Sequence, residues 1–290
     1  MPELPEVETV RIGLSTLLIG NVITGVEFDT PKSFPNASAD VNKFLIGAKV
    51  VIIARRGKAL LIELSTKYSL VVHLKMTGQL VYVGKERFGA GHPTSSLVGQ
   101  LPDKSTRVTL KLDNGAQLFF NDQRKFGWMR LIPTAEVPNI DFFKKLGPEP
   151  LAADFSAKDF AARLKKRPNT NIKAALLDQT VIAGVGNIYA DESLWGAKIH
   201  PKTLVKNLSM QKLNKLFDEL VYVLKLSIEK GGSTDKNYVN AEGKKGSYLS
   251  FARVFRREGK PCPRCSTTII KTRVAGRGTH LCPFCQKESK

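Results

Sequence analysis

The sequence predicts an α+β protein whose strands and helices occupy successive stretches of chain. Three observations carry this. Residues 21–133 hold eight short β-branched or alternating runs separated by turn residues, a pattern of sandwiches and barrels. Beyond residue 134 the apolar residues recur at helical spacing. The cysteines, Cys262, Cys265, Cys282 and Cys285, form two Cys-x-x-Cys pairs near the C-terminus.

A helix leads the chain. After MPELPEVETV, the residues Val7, Val10, Leu14, Leu17 and Leu18 return at three- and four-residue steps and mark one buried face. Pro2 suits a helix start, and Glu3 and Glu6 complement the dipole of a first turn. Removal of Met1 would also make Pro2 a secondary amine. An α-amino group titrates near 8 and a lysine near 10.4, so far more of the former is uncharged at neutral pH. Such an amine attacks a carbonyl or an aldehyde-like sugar carbon to give an iminium. Glu3 stands beside it to move protons, and Glu6 orients the helix start.

The strands follow as VITGVEF, AKVVIIA, ALLIEL, SLVVHL, QLVYV, RVTLKL, AQLFF and GWMRLI. Asp113-Asn114-Gly115 is a hairpin signal, and residues 84–106 read as one long connecting loop. Arg55-Arg56-Gly57-Lys58, between two apolar strands, reads equally as a solvated tip or a phosphate-binding turn. In HLKMTG (73–78) and DQRKFG (122–127), residue type alone makes Met76 and Phe126 core and Arg124 a surface charge.

Pro133, Pro138, Gly147, Pro148 and Pro150 punctuate a linker that contains a short helical piece, DFFKK. Helices come next: SAKDFAARLKK with a capping-box start at Ser156 and Asp159, then IKAALLDQ, NIYADESLWGA and the long SMQKLNKLFDELVYVLKLSIEK. The turn in VIAGVGNIYADE (181–192) either presents backbone N–H groups to a phosphate or needs glycine only for geometry. Residues 233–258 are polar and glycine-bearing, a loop or a plain linker.

Lys+Arg of 45 against Asp+Glu of 26 gives a net charge of +19, which favours a polyanionic partner, nucleic acid first. No apolar run is long enough for a bilayer, no secretion signal is visible, and the clustered cysteines suit a reducing, cytoplasmic setting. Two Cys-x-x-Cys pairs at this spacing suit one tetrahedral zinc with four thiolate ligands and no open position, hence structural. A redox dithiol would need one pair in a βαβ setting. TTIIKTRV and THLC read as strands of a zinc ribbon joined by Ala275-Gly276-Arg277-Gly278.

PELPEVE, RRGKALL, HLKMTG, DQRKFG, LGPEPL, VIAGVGNIYADE and the GRGTH tip together resemble the bacterial formamidopyrimidine-DNA glycosylases, bifunctional glycosylase/AP lyases. The resemblance runs from Pro2 to about Gln286. It implies an N-terminal β-sandwich catalytic domain (1–133), a linker (134–149), a helix–two-turns–helix module (150–232), a lesion-capping loop (233–258) and a zinc finger (259–290). By the same resemblance Pro2, Glu3, Lys58 and Arg277 are catalytic, with Arg277 binding phosphate beside the lesion. Met76, Arg124 and Phe126 would fill the space left by a flipped nucleotide, and Lys173 and Asn187 would contact DNA. The implied substrate is duplex DNA with oxidised purines or abasic sites, the enzyme acting as a monomer, nucleoid-associated when bound. Two departures bear on phosphate contacts: Lys104-Ser105-Thr106-Arg107 stands where the family carries histidines, and Pro168-Asn169 after Arg167 replaces basic residues. The competing readings are an endonuclease VIII-type enzyme for oxidised pyrimidines and a non-catalytic zinc-ribbon DNA-binding protein.

Overall fold

A computed structural model of the chain describes residues 1–92, 94–233 and 248–288. Contacts divide it into two units. The first comprises Met1–Lys144 with the described residues 230–233. In chain order it contains α1 (Leu4–Leu18), β1 (Ile23–Phe28), α2 (Ser38–Asp40), β2 (Val50–Arg56), β3 (Ala59–Leu64), β4 (Tyr68–His73), β5 (Gly78–Val83), β6 (Arg87–Gly91), β7 (Thr106–Leu112), β8 (Gln117–Asp122), β9 (Trp128–Pro133) and α3 (Asp141–Lys144).

The strands form two antiparallel sheets, β2-β3-β4-β9 and β1-β7-β8-β5-β6, so the sandwich is realised rather than the barrel. One core joins them. Ile53, Ile62, Leu70 and Val72 come from one sheet, Leu80, Val108, Leu118 and Phe120 from the other, and Val7, Val10, Leu14 and Leu18 from α1. Gly13 lets α1 approach β6, because a Cβ there would lie 2.2 Å from the Phe88 ring.

The expected 84–106 loop is corrected by β6, which pairs with β5 from Val83↔Arg87 to Gln79↔Gly91. RFGAG has no alternation of its own, and its strand state comes from its partner. Arg87 then closes the following turn by donating to the carbonyls of Leu97 and Ser96 at 3.1 and 3.3 Å.

The chain crosses between the sheets at neighbouring points. Gly78 pairs with Asp122 at the end of one sheet, and His73 with Trp128 at the end of the other. Segments 74–77 and 123–127, which link these strand ends, are therefore side-by-side crossovers.

The second unit comprises Lys145–Glu229 and the chain from Tyr248. It contains α4 (Ala157–Lys165), α5 (Ile172–Leu177), α6 (Asn187–Gly196), α7 (Met210–Glu229), α8 (Tyr248–Phe251), β10 (Ile270–Val274) and β11 (Arg277–Leu281). The Ser156 capping box forms, with Ser156 Oγ accepting from Asp159 N–H and Asp159 accepting from Ser156 N–H. α7 packs on α4 and α6 through the stripe Leu213, Leu216, Leu220, Val223 and Leu224. Among the described residues, no helix is long and apolar enough to cross a membrane.

The β10–β11 turn is shorter than expected. Ala275 and Gly276, at φ 49° and 72°, make it alone, and Arg277 already belongs to β11 opposite Val274. Of the expected loop at 233–258, residues 234–247 lie outside the described residues.

Candidate active site and nucleic-acid interface

The helix start differs from expectation. α1 begins at Leu4 with Glu3 as N-cap, Pro5 occupies its first turn, and Pro2 lies ahead of the cap. Pro2, Glu3 and Glu6 are all buried. Glu6 accepts the Glu3 N–H at 2.8 Å on one oxygen and the Ser233 N–H at 2.8 Å on the other. It thus holds both the helix start and residue 233, consistent with orienting the N-terminus.

Glu8 accepts from Arg11 and from Arg55 of β2, both at 2.8 Å. Burial alone would raise its carboxyl, but these guanidiniums outweigh burial and hold it below the usual range. The link fixes α1 to the turn after Arg55. There Gly57, at φ 59°, reverses the chain and Lys58 follows. Lys58 is 7% exposed, which excludes the solvated-tip reading.

Next to Lys58 in the ladder, Ala59 pairs with His73. Burial, then the charges of Lys75 and Lys58, push the His73 imidazole down to about 3. It is therefore neutral, with Nδ1 accepting the Lys75 N–H at 3.0 Å. Sequence reading missed His73, since a histidine ending an apolar strand looks like core.

Met76, Arg124 and Phe126 are brought together on the two crossovers. Met76 is 38% and Phe126 45% exposed, so neither is core. The Arg124 guanidinium lies 4.8 Å from the centroid of the Phe126 ring. The result is a flat cation on an aromatic face at the second crossover, with an exposed thioether on the first. Asp122, at the base of both crossovers, was also missed.

Lys173 is turned inward. It is 0% exposed, and its ammonium donates to Asp191 Oδ1 at 2.7 Å, Thr279 Oγ1 at 2.7 Å and the Gly278 carbonyl at 3.0 Å. Through these bonds it secures the ribbon hairpin to the helices. Asp191 Oδ2 also accepts the His280 N–H at 2.8 Å. Asn187 opens α6 and donates to the Gly278 carbonyl at 2.9 Å. Arg277, beside this clamp, is exposed. Gln179 shapes the turn before α6, donating to the carbonyls of Leu177 and Val185 and accepting from Gly184 N–H.

The departures sort in the same way. Ser105 and Arg107 are buried and turned inward: Ser105 donates to Asp103 at 2.6 Å, and Arg107 pairs with Asp29. Arg167, Pro168 and Asn169 are exposed, with Arg167 paired to Asp178 at 3.1 Å.

The ligand sulfurs of Cys262, Cys265, Cys282 and Cys285 lie within 4.8 Å of one another. Tetrahedral zinc with bonds near 2.3 Å sets its thiolates about 3.8 Å apart, so the cluster fits. Four thiolates this close need a cation among them. The Trp195 N–H and the Arg264 N–H donate to Cys262 Sγ at 3.4 and 3.5 Å, and the Cys285 N–H to Cys282 Sγ at 3.4 Å. These donors suit charged sulfur. The cysteines hold one structural zinc. The ribbon core of Cys262, Ile269 and Cys282 packs on Trp195 of α6, whose ring lies under the Arg264 guanidinium at 3.8 Å.

Comparison with known proteins gives three consecutive matches. Residues 1–129 match the formamidopyrimidine-DNA glycosylase N-terminal domain, 146–238 the formamidopyrimidine-DNA glycosylase H2TH domain, and 259–287 a zinc finger found in FPG and IleRS. Proteins named formamidopyrimidine-DNA glycosylase from Streptococcus pyogenes and Pelotomaculum thermopropionicum are 43% and 42% identical to this chain, over 99% of it and 99% of each of them. Among solved structures, the Lactococcus lactis Fpg complex with abasic-site DNA aligns with a TM-score of 0.87 at 37% identity, covering 99% of this chain and 100% of that one. A MutM complex with DNA containing carbocyclic 8-oxo-G aligns at 0.85 and 37% identity, over the same shares.

Proposed function

The chain belongs to the formamidopyrimidine-DNA glycosylase family, and from that premise we propose how its own residues perform the reaction. It is a base-excision repair enzyme that removes oxidised purines from duplex DNA and cleaves the abasic site. With Met1 removed, the Pro2 amine attacks C1′ of the damaged nucleotide. The bond from C1′ to the base breaks, and the base leaves with a proton. The sugar ring then opens: O4′ takes a proton, and the Pro2 nitrogen forms the iminium with C1′. Glu3 is the group that moves these protons. Loss of the C2′ proton expels the 3′ phosphate, and a second elimination expels the 5′ phosphate. Water then releases the sugar fragment from Pro2.

The observation that carries this reading is the placement of Pro2. It stands one residue ahead of the cap, buried beside Glu3, so removing Met1 exposes an amine held by the fold rather than by a loose tail. Lys58 and Arg277 neutralise the phosphates flanking the reacting sugar. Met76, Arg124 and Phe126 form the wedge that occupies the vacated stack. Asn187 contributes through the turn before α6, as backbone donors at a helix start do for phosphate. Zinc, when bound, fixes the ribbon that carries Arg277. The thiols and the substrate support a cytoplasmic setting, associated with the nucleoid when bound to DNA.

Borohydride reduction of a reacting mixture should trap the enzyme on abasic DNA through a stable amine at residue 2. Peptide mapping that places the cross-link on Lys58, or mature protein that retains Met1, overturns the assignment of the nucleophile.

A further inference from the structure

We propose that Asp122 is a positioning residue for base extrusion: one buried carboxylate that joins the two crossovers and holds Arg124 and Phe126 ready for insertion. The proposal rests on the wedge reading above. Asp122 is 0% exposed. Its Oδ1 accepts from the Thr77 hydroxyl of the first crossover and from the Arg124 N–H of the second, the latter at 3.1 Å. Its Oδ2 accepts the Phe126 N–H at 2.8 Å and the Gly127 N–H at 2.7 Å. Four donors converge on the two carboxylate oxygens, and all four are neutral.

The turn is built to make these bonds. Lys125 adopts φ 56°, a left-handed conformation that costs a side-chain-bearing residue energy unless its surroundings enforce it. Gly127 is required at close quarters, since a Cβ there would meet the Phe120 ring at 2.6 Å and Asp122 Oδ2 at 3.1 Å. The Arg124 N–H also lies 3.1 Å from Thr77 Oγ1, so the hydroxyl bridges the crossovers.

The backbone of Asp122 is itself anchored. Its N–H donates to the Ser105 carbonyl at 2.7 Å, and its carbonyl accepts from Arg107 Nε at 2.9 Å. Ser105 and Arg107 belong to the Lys104-Ser105-Thr106-Arg107 stretch, where the chain departs from the family resemblance. In this chain they brace the carboxylate that braces the wedge.

The physical consequence is selective. Extruding a base costs a few kcal/mol of stacking and pairing, and a wedge ordered beforehand offsets that cost without a further loss of entropy on insertion. A preformed abasic site has no base to extrude, so cutting it depends far less on the wedge.

The test measures single-turnover excision of one 8-oxoguanine from a duplex and cutting of the same duplex with a preformed abasic site. The ratio of the two rates is the readout. Asp122→Asn turns an acceptor into a donor facing backbone N–H groups and should lower the ratio roughly tenfold or more. Thr77→Val keeps the shape but loses the hydroxyl and should lower the ratio several-fold, while Thr77→Ser keeps it near the parent value. In an Arg124→Ala background, Asp122→Asn should have little further effect on the ratio. Asp122 is overturned as a positioning residue if Asp122→Asn or Thr77→Val lowers both rates equally, or if Thr77→Ser behaves like Thr77→Val. Should Asp122→Asn misfold, the two Thr77 variants decide. If Arg124→Ala leaves the ratio unchanged, the wedge reading itself fails; if it lowers the ratio and the Asp122 and Thr77 variants do not, only the present proposal fails.

Discussion

The crossovers of the sandwich and the hairpin of the ribbon are each held by a fully buried aspartate, yet by opposite means. Asp122 is satisfied by a hydroxyl and three backbone N–H groups. Asp191 is satisfied chiefly by a buried ammonium, Lys173, whose other bonds reach the hairpin backbone and side chain. The first arrangement fixes the local path of one turn, because its donors are that turn's own peptides and a neighbour's hydroxyl. The second fixes elements remote in sequence, because a long side chain from α5 spans the distance. Neutral donors shape a loop; an ion pair fastens a module.

Removing one member of the ion pair has the largest expected effect. Lys173→Met strips the buried Asp191 of its lysine partner and leaves it only His280, and breaking a buried pair in this way costs about 3–5 kcal/mol. Pairing it with Asp191→Leu removes the orphaned charge and should recover part of that loss. Denaturant unfolding of the zinc-loaded chain measures both. Equal stability for Lys173→Met and the parent would mean that the pair does not fasten the hairpin.

Legibility in the sequence follows the same division. The sandwich strands were readable because each carries its own alternation, and Asp113-Asn114-Gly115 because a turn is local. The zinc ligands were readable because spacing alone brings paired thiolates to one metal. β6 was not, since RFGAG becomes a strand only by pairing with β5. Lys173 stood in a recognisable motif, but its enclosure was not legible there. Its partners lie at 191 and 278–279, and only the folded chain shows that they enclose it. A wedge role for Met76, Arg124 and Phe126 was expected from the resemblance alone, and nothing in the sequence pointed to the four donors that meet Asp122. A carboxylate in a loop reads as solvated until three amides are seen converging on it.

Acid should separate the regions by a smaller margin, through His73. Its pKa is about 3 in the fold and 6.5 as a free side chain, so the unfolded chain binds a proton that the folded chain refuses. Stability from this group is complete above about pH 6.5 and declines as pH falls toward 3, by at most about 1.4 kcal/mol per pH unit. By pH 5 the loss approaches about 2 kcal/mol. Replacing His73→Gln should flatten that part of the stability profile, measured by urea unfolding from pH 7.5 to 5. Parallel profiles would show that His73 takes up its proton without unfolding, and that the crossover ends tolerate a charge.

The smallest effect concerns the two left-handed residues that the turns impose, Lys125 at φ 56° and Ala275 at φ 49°. Each bears a side chain where glycine is favoured, at a cost of about 1–2 kcal/mol. Glycine is more flexible in the unfolded chain, which returns about 0.5–1 kcal/mol of any gain. Lys125→Gly and Ala275→Gly should therefore each stabilise by about 1 kcal/mol or less. Loss of the Lys125 contact with Asp29, 3.9 Å apart at the surface, adds little to this. The two turns part further when the support at the crossovers is weakened. At Ala275 the hairpin register enforces the turn. At Lys125 the enforcing group is Asp122, so a turn that no longer resists its own conformation needs that carboxylate less. Lys125→Gly should then restore part of the excision-to-cutting ratio lost in Thr77→Val, whereas Ala275→Gly should restore none. A ratio that responds to neither glycine would mean that the strain at Lys125 is not what Asp122 holds in check.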